Sequence, residues 1–300
     1  YGDTGVFVRG KYWYDFELKD ESRLFKDISD SNRKEGAQSS GAEILDAFVY
    51  HNYAIGDQPG SVRLGKQVVS WGESTFIING INAINPVDVA AFRRPGAEVK
   101  EGLIPVNMLY VAQSLTDRLS AEAFYQLEWD QTVVDNCGTF FAVDVLQDGC
   151  ASNYHVQSYP AGLAGALGAV GAAGSSEGVM LRRAGDNDAR DSGQWGVALR
   201  WLGDEAEYGL YALNYHSRTP NLSYINADAA SIAAIATTAG GLPAAFQTPF
   251  VSLGLLGTGS YFLDYPEDIR LYGASFSTTL PTGTAWQGEI SYRPVSYTHL

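Results

Sequence analysis

Residues able to do chemistry are few in this chain and scattered along it. The four histidines, His51, His155, His216 and His299, have no metal-binding spacing such as His-Glu-x-x-His. Ser70 and Ser74 flank Trp71-Gly72-Glu73 with no histidine nearby in sequence. No Gly-x-Ser-x-Gly elbow is expected. A lipid hydrolase would need a Ser–His–acid site assembled across strands, for instance from His216 with Ser217 or Ser275. A strand histidine is ordinarily a satisfied structural residue, so the chain reads as a non-enzyme. Glycine loops that cradle phosphate are missing, and the glycines suit turns and tight strand packing. No metal and no organic cofactor is expected.

Charged residues recur in a more regular way. In 119–129, Leu119, Ala121, Ala123, Tyr125, Leu127 and Trp129 lie on one parity, and Ser120, Glu122, Phe124, Gln126 and Glu128 on the other. Successive strand side chains point to opposite faces, so this segment has one apolar face and one polar face. The same alternation appears in 6–18, 195–201 and 284–293, and more weakly in 42–55, 61–71, 106–115, 207–216 and 269–278. Candidate charges on the polar wall of these strands are Arg9, Lys11, Arg63, Glu122, Glu128, Arg200 and Arg270.

The connections separate into two kinds. GDQPG (56–60), TDR (116–118), GDEA (203–206) and TLPTG (279–283) are tight hairpin turns. The other connections, about 20–41, 72–105, 130–192 and 217–268, are long, and short and long strictly alternate. A soluble sandwich, with both ends in the same solvent, has no reason to sort its loops in this way. An antiparallel transmembrane β-barrel does, with short periplasmic turns and long extracellular loops. Trp13, Trp129, Trp195, Trp201 and Trp286 fall at or near strand ends, as in an interfacial aromatic girdle. Nine strands make an incomplete barrel, so 1–294 is expected to be the N-terminal part of a longer one. Residues 295–300 are read as a truncation or read-through tail.

The longest apolar stretch, 161–174, is shorter than the roughly 20 residues of a transmembrane helix, which does not exclude crossing by a closed barrel. A formal charge of −14 argues against nucleic acid, which is held by clustered Lys and Arg. Cys137 and Cys150 bracket a turn-rich segment. In an oxidising compartment they are candidates to pair, adding roughly 3 kcal/mol; the alternative is two unrelated thiols of a cytosolic protein.

Residues 64–109 carry the phrases GKQVVSWGES, GINAINPVD, RRPGAEVKEG and PVNML. CGTFFAVD, GQWGVALRW, YGLYALNYHSR, YPEDIRLYGASFST and GEISYRP follow. With these the chain resembles the proteobacterial outer-membrane family known as domain of unknown function 1302, from its first strand to about Pro294. The Ala/Gly-rich stretches 160–175 and 228–257 are longer than the family pattern. The resemblance implies a barrel in a Gram-negative outer membrane, bathed by lipid and lipopolysaccharide. It loosely implies a role with hydrophobic compounds or lipids, alongside periplasmic or inner-membrane transport proteins. It supplies no catalytic residues.

The expected function is passage of small hydrophobic or aromatic solutes. A structural or envelope-assembly barrel is the alternative, and a lipid hydrolase a third. Connection 72–105 is the expected selectivity element, because porin-like proteins narrow their lumen with an inward loop facing charged walls. There Asn85-Pro86 predicts a helix start with Asp88 in its first turn, carrying Arg93 and Arg94 toward the wall charges, or else into solvent or against Glu98 and Glu101. The apolar 227–257 is either a helix or lid, or low-complexity filler.

Overall fold

The computed structural model describes residues 3–21, 28–73, 80–93, 102–150, 154–160 and 162–294. Its strands are β1 (Thr4–Tyr14), β2 (Ser40–Ile55), β3 (Gln58–Gln67), β4 (Val106–Ser114) and β5 (Leu119–Gln126). Four short strands follow, β6 (His155–Gln157), β7 (Gly174–Ser175), β8 (Gly178–Met180) and β9 (Arg182–Arg183). Next come β10 (Trp195–Leu202), β11 (Ala206–Tyr215), β12 (Asn221–Ile225), β13 (Ser260–Asp264), β14 (Ile269–Thr279) and β15 (Ala285–Tyr292). Nine of them form one antiparallel sheet in chain order, β1-β2-β3-β4-β5-β10-β11-β14-β15, with β1 and β15 at its edges.

These nine strands are the nine alternating segments of the sequence. Where boundaries differ, a local contact decides. Ile55 pairs with Gln58, so the first turn is Gly56-Asp57 alone, with Gly56 at φ 63°, a left-handed conformation that glycine adopts freely. β1 stops at Tyr14 because Asp15 caps a helical turn, its Oδ1 accepting from the Glu17 and Leu18 amides at 3.0 Å each. β3 stops at Gln67 because Val69 and Trp71 leave the sheet and fold back over it.

The two faces of the sheet differ. A cross-strand row on one face runs Val6, Val49, Leu64, Leu109, Tyr125, Trp195 and then Asn214 and Arg270. A second runs Ala121, Leu199, Leu210, Ala274 and Ile290. Val6, Leu199, Leu210 and Ile290 are 68, 45, 60 and 73 % exposed, so this face is apolar and bare. The opposite face is covered. Val69, Trp71, Ile81 and Ile84 pack there against Met108, Phe124, Ala198, Tyr211, Leu213 and Leu271 from five adjacent strands. Burying each large side chain of this layer contributes about 1.5–3 kcal/mol.

The long connections 127–194 and 216–268 fold against each other. Within 227–257 the helical expectation is met and the filler one is not: Ala229–Gly240 and Ala244–Thr258 are helices, with Asp228 Oδ1 accepting from the Ser231 amide at 2.7 Å. Ile235, Phe250 and Leu253 bury against Leu163, Leu167 and Val179 of the other connection. Among the described residues, no helix is long and apolar enough to cross a membrane. The proposed tail, 295–300, lies outside the described residues.

Candidate functional site: the covered face of the sheet

A diagonal ladder of polar side chains crosses the covered face. Arg63 on β3 lies over the Tyr110 ring, 4.2 Å from its centroid. Tyr110 donates to Glu122 Oε2 at 2.8 Å, and Trp71 Nε1 donates to the same oxygen at 2.6 Å. Arg200 Nε meets Glu122 Oε1 at 3.1 Å, and its other arm reaches Glu207 at 3.2 Å. Glu289 on β15 accepts from the Glu73 amide at 2.9 Å, and Gln287 donates to the Glu73 carbonyl at 3.3 Å. The connection that leaves β3 is thus tethered across the sheet to its far edge. Burial raises the Glu73 carboxyl above its usual range; Glu207 and Glu289 reinforce this and Arg200 opposes it. Ile81 seats on Gly273, where a Cβ would lie 2.5 Å from Ile81 Cγ1, so glycine lets the connection sit this close.

A second group lies on β1 and β2. Arg9 pairs with Asp46 at 2.6 Å, and Lys11 with Glu43 at 3.3 Å and the buried Asp88 at 3.5 Å. A register shift between Val8 and Gly10 accommodates this arrangement. Of the charges read from the sequence, Arg9, Lys11, Arg63, Glu122 and Arg200 therefore do share the covered face. Glu128 instead caps the strand end, accepting from Asn107 N at 3.1 Å and Asn107 Nδ2 at 2.6 Å. Arg270 lies on the bare face, on the parity of Tyr272 and exposed. Its charge alone counts it as polar wall, but its register with Asn214 puts it at the end of an apolar row.

Arg93 does not join the wall charges. It pairs with Asp135 and lies 4.6 Å over the Phe141 ring, both on the 127–194 connection. Arg94 lies outside the described residues. The helix expected from Asn85 is a single turn, Ala91–Arg93, capped by Asp88 rather than Asn85 at 3.2 Å from the Ala91 amide. The backbone at Val87 and Asp88 is instead bridged to Leu103 and Val133. Asn85 is a buried crosslink, accepting from Val69 N at 3.0 Å and donating to the carbonyls of Gln67 and Ile104 at 3.3 and 2.9 Å.

Arg218 clamps the assembly and has no signal in strand parity, because it sits beyond β11. Its guanidinium donates to the Asp130 and Ile84 carbonyls at 3.0 Å each and to Gln126 Oε1 at 2.5 Å. One side chain thereby joins β5 to three connections. Burial lowers its pKa to about 10, with Asp130 opposing the shift. Trp71, Tyr110, Glu207 and Glu289 were also missed. The last three stand on the parity that selected Glu122, so the alternation rule reaches them; Trp71 acts from outside the strand that it extends.

Cys137 and Cys150 form the expected disulfide, with both residues buried. His216 is buried between the Asp268 amide, which donates to Nδ1 at 3.0 Å, and the Ser192 carbonyl, 2.9 Å from Nε2. Ser217 donates to the Thr219 carbonyl and Ser275 bonds to Tyr211, so neither serine is joined to this ring. A Gly-x-Ser-x-Gly spacing does occur at Gly174–Gly178, in the hairpin between β7 and β8 rather than in an elbow before a helix. The motif's own serine is Ser176; it is its neighbour Ser175 whose Oγ lies 2.7 Å from His155 Nε2. Glu177 is 3.8 Å from Nδ1 with its side chain 54 % exposed, unlike the buried orienting acid of a triad. Among the described residues no His, Cys, Asp and Glu cluster suits a metal ion.

Comparison with curated proteins gives no match, and neither does comparison with solved structures. A family profile described as Protein of unknown function (DUF1302) matches residues 1–299. The two-faced nine-stranded sheet with the connection packed over one face is thus carried by a chain that belongs to the DUF1302 family.

Proposed function

We propose that this chain forms part of the wall of an outer-membrane β-barrel that passes small hydrophobic or aromatic solutes. The single observation behind this reading is the contrast between the faces. One presents exposed apolar side chains across nine strands, and the other carries an ordered ladder of charges under an inward connection. An apolar face as wide as this suits hydrocarbon, and a polar face with a packed constriction suits a selective path. In this reading the turns at 56–57, 115–118, 203–205 and 280–284 face the periplasm. The long connections then face outward, toward lipopolysaccharide. Periplasmic or inner-membrane transport proteins would receive the solute. Spanning requires that the edges β1 and β15 be paired, because unsatisfied strand edges are untenable in hydrocarbon. No catalytic step and no cofactor is assigned.

The test is uptake by liposomes containing the purified, folded protein, with a panel of small polar, aromatic and fatty solutes. Faster entry of aromatic solutes than of polar ones of equal size is the expected result. Absence of any entry through demonstrably folded protein would contradict it.

One observation favours a second reading. Trp71, Ile81 and Ile84 are at most 1 % exposed, so the connection packs as a plug rather than a loose constriction. A structural or envelope-assembly barrel without transport would have such a plug and would give no uptake.

A further inference from the structure

On the bare face, three strands are aromatic toward both ends and aliphatic between. Along β10, Trp195 and Trp201 bracket Val197 and Leu199. Along β14, Tyr272 and Phe276 bracket Ala274, and along β15, Tyr292 and Trp286 bracket Ile290. Register keeps the ends level: Tyr272 pairs with Tyr292, and Trp201 with Tyr208, whose rings stack at 5.5 Å. Aromatic side chains above and below an aliphatic band suit the two headgroup levels of a bilayer. Arg270 lies just beyond this band at the long-connection end, two residues before Tyr272 on the same face. In register with Asn214, it continues the row of Tyr125 and Trp195. The row at the turn end, Leu119, Trp201, Tyr208 and Phe276, carries no charge.

Arg270 is exposed, and among the described residues its guanidinium has no ion pair, hydrogen bond or ring contact. The acids that precede it in the chain are already taken. Glu267 and Asp268 both pair with Arg190, and Asp268 also accepts from Asn214 Nδ2 at 3.0 Å. A cation beside hydrocarbon is costly, and the cost falls when its long stem carries the charge to the interface. There the planar guanidinium fork matches two phosphate oxygens, in bonds about twice as strong as those between neutral groups. Tyr272 and Tyr292, both exposed, stand on the hydrocarbon side of it. A free phosphate would meet the guanidinium alone, whereas a lipid phosphate also gains apolar contact with these rings.

We propose that Arg270 holds the phosphate of a lipid headgroup at the long-connection end of the bare face, with Tyr272 and Tyr292 against the adjoining chains. This rests on the outer-membrane reading and deepens it, by naming the lipid group that the outward end of the wall binds.

The test is calorimetric titration of the folded protein in neutral detergent with dihexanoyl phosphatidic acid, dihexanoylglycerol and sodium phosphate. Saturable binding of the phosphatidic acid is expected, with the diglyceride about tenfold weaker and inorganic phosphate not bound. Arg270→Gln, at an exposed position, should bring the phosphatidic acid down to the level of the diglyceride and leave the diglyceride unchanged. Arg270→Lys should keep part of the preference, because the charge remains and the fork is lost. Tyr272→Ala should weaken both lipids. Equal affinity for the two lipids, or phosphatidic-acid binding unaltered in Arg270→Gln, would overturn the proposal. Inorganic phosphate bound as tightly as the lipid would also overturn it, in favour of a site for a free anion. Solute uptake by liposomes made from the same preparations separates this site from the passage reading. Entry without the phosphate preference removes the lipid site and leaves passage, and the preference without entry does the reverse.

Discussion

Trp71 Nε1 donates to Glu122 Oε2 at 2.6 Å, and this bond joins the connection after β3 to the sheet face beneath it. Tyr110 and Arg200 hold the same carboxylate, so Trp71 is fixed by groups that are themselves fixed. Trp71→Phe keeps most of the buried ring and removes the donor to a charged acceptor. It should cost about 2 kcal/mol in urea unfolding and speed solute entry. Unchanged stability would mean that the bond does not hold the connection down.

Among the described residues, the acidic end of the ladder sets Arg200 among Glu73, Glu122, Glu207 and Glu289. Ion flow along this face should favour cations. Replacing Glu207 and Glu289 together by Gln should bring the reversal potential in a potassium chloride gradient toward zero. An anion preference in the parent protein would sink the assignment of this face as the path.

Arg218 is a buried cation whose partners among the described residues are two carbonyls and one amide oxygen, with no carboxylate oxygen. Removing it takes a donor from buried acceptors on β5 and on two connections at once, and leaves the Ile84 carbonyl with only its bond from Gln126 Nε2. Arg218→Met should destabilise by about 3 kcal/mol. Arg218→Lys should recover only part of this, because an ammonium group lacks the planar fork. Denaturant midpoints of the two variants check the order.

Burial lowers the His216 pKa below its ordinary value, against an opposing bond to the Ser192 carbonyl. The unfolded chain therefore binds a proton more readily than the folded one. Stability rises with pH through this window and is lost as pH falls from about 7.5 to 5. His216→Gln should flatten that part of the curve. A loss of equal slope in the variant would assign it to other groups.

Cys137 and Cys150 close a loop that also carries Phe140 and the Asn136 contact with Arg33. Replacing both cysteines by Ser should cost about 3 kcal/mol and speed protease cleavage within the 127–194 connection, with strand content kept. Loss of the strands as well would show that the loop is needed for the sheet itself.

Much of the sheet is legible in the sequence because its period is two and its turns are short. Leu119 to Gln126 shows both faces of β5 directly. Within a strand the same rule finds Glu122 and Arg200, whose side chains meet only because register sets β5 against β10. It fails at Arg270, where an arginine stands on the apolar parity. The connections are harder to read, since their contacts are set by tertiary packing rather than by period. Asn85-Pro86 has the local form of a helix start, yet the asparagine is taken by three backbone groups from other segments. Arg93 is likewise claimed by Asp135, a residue distant in sequence.

The central claim is that the two faces of one sheet meet different solvents, lipid and a solute path. Leu210 lies on the bare face, and Ser277, in register with Glu207, lies on the covered one. A nitroxide attached to a cysteine at each position, in protein reconstituted into bilayers, reports its collisions with oxygen and with a water-soluble nickel complex. At 210 oxygen should dominate, and at 277 the nickel complex. Equal access of the nickel complex to both labels would contradict the account.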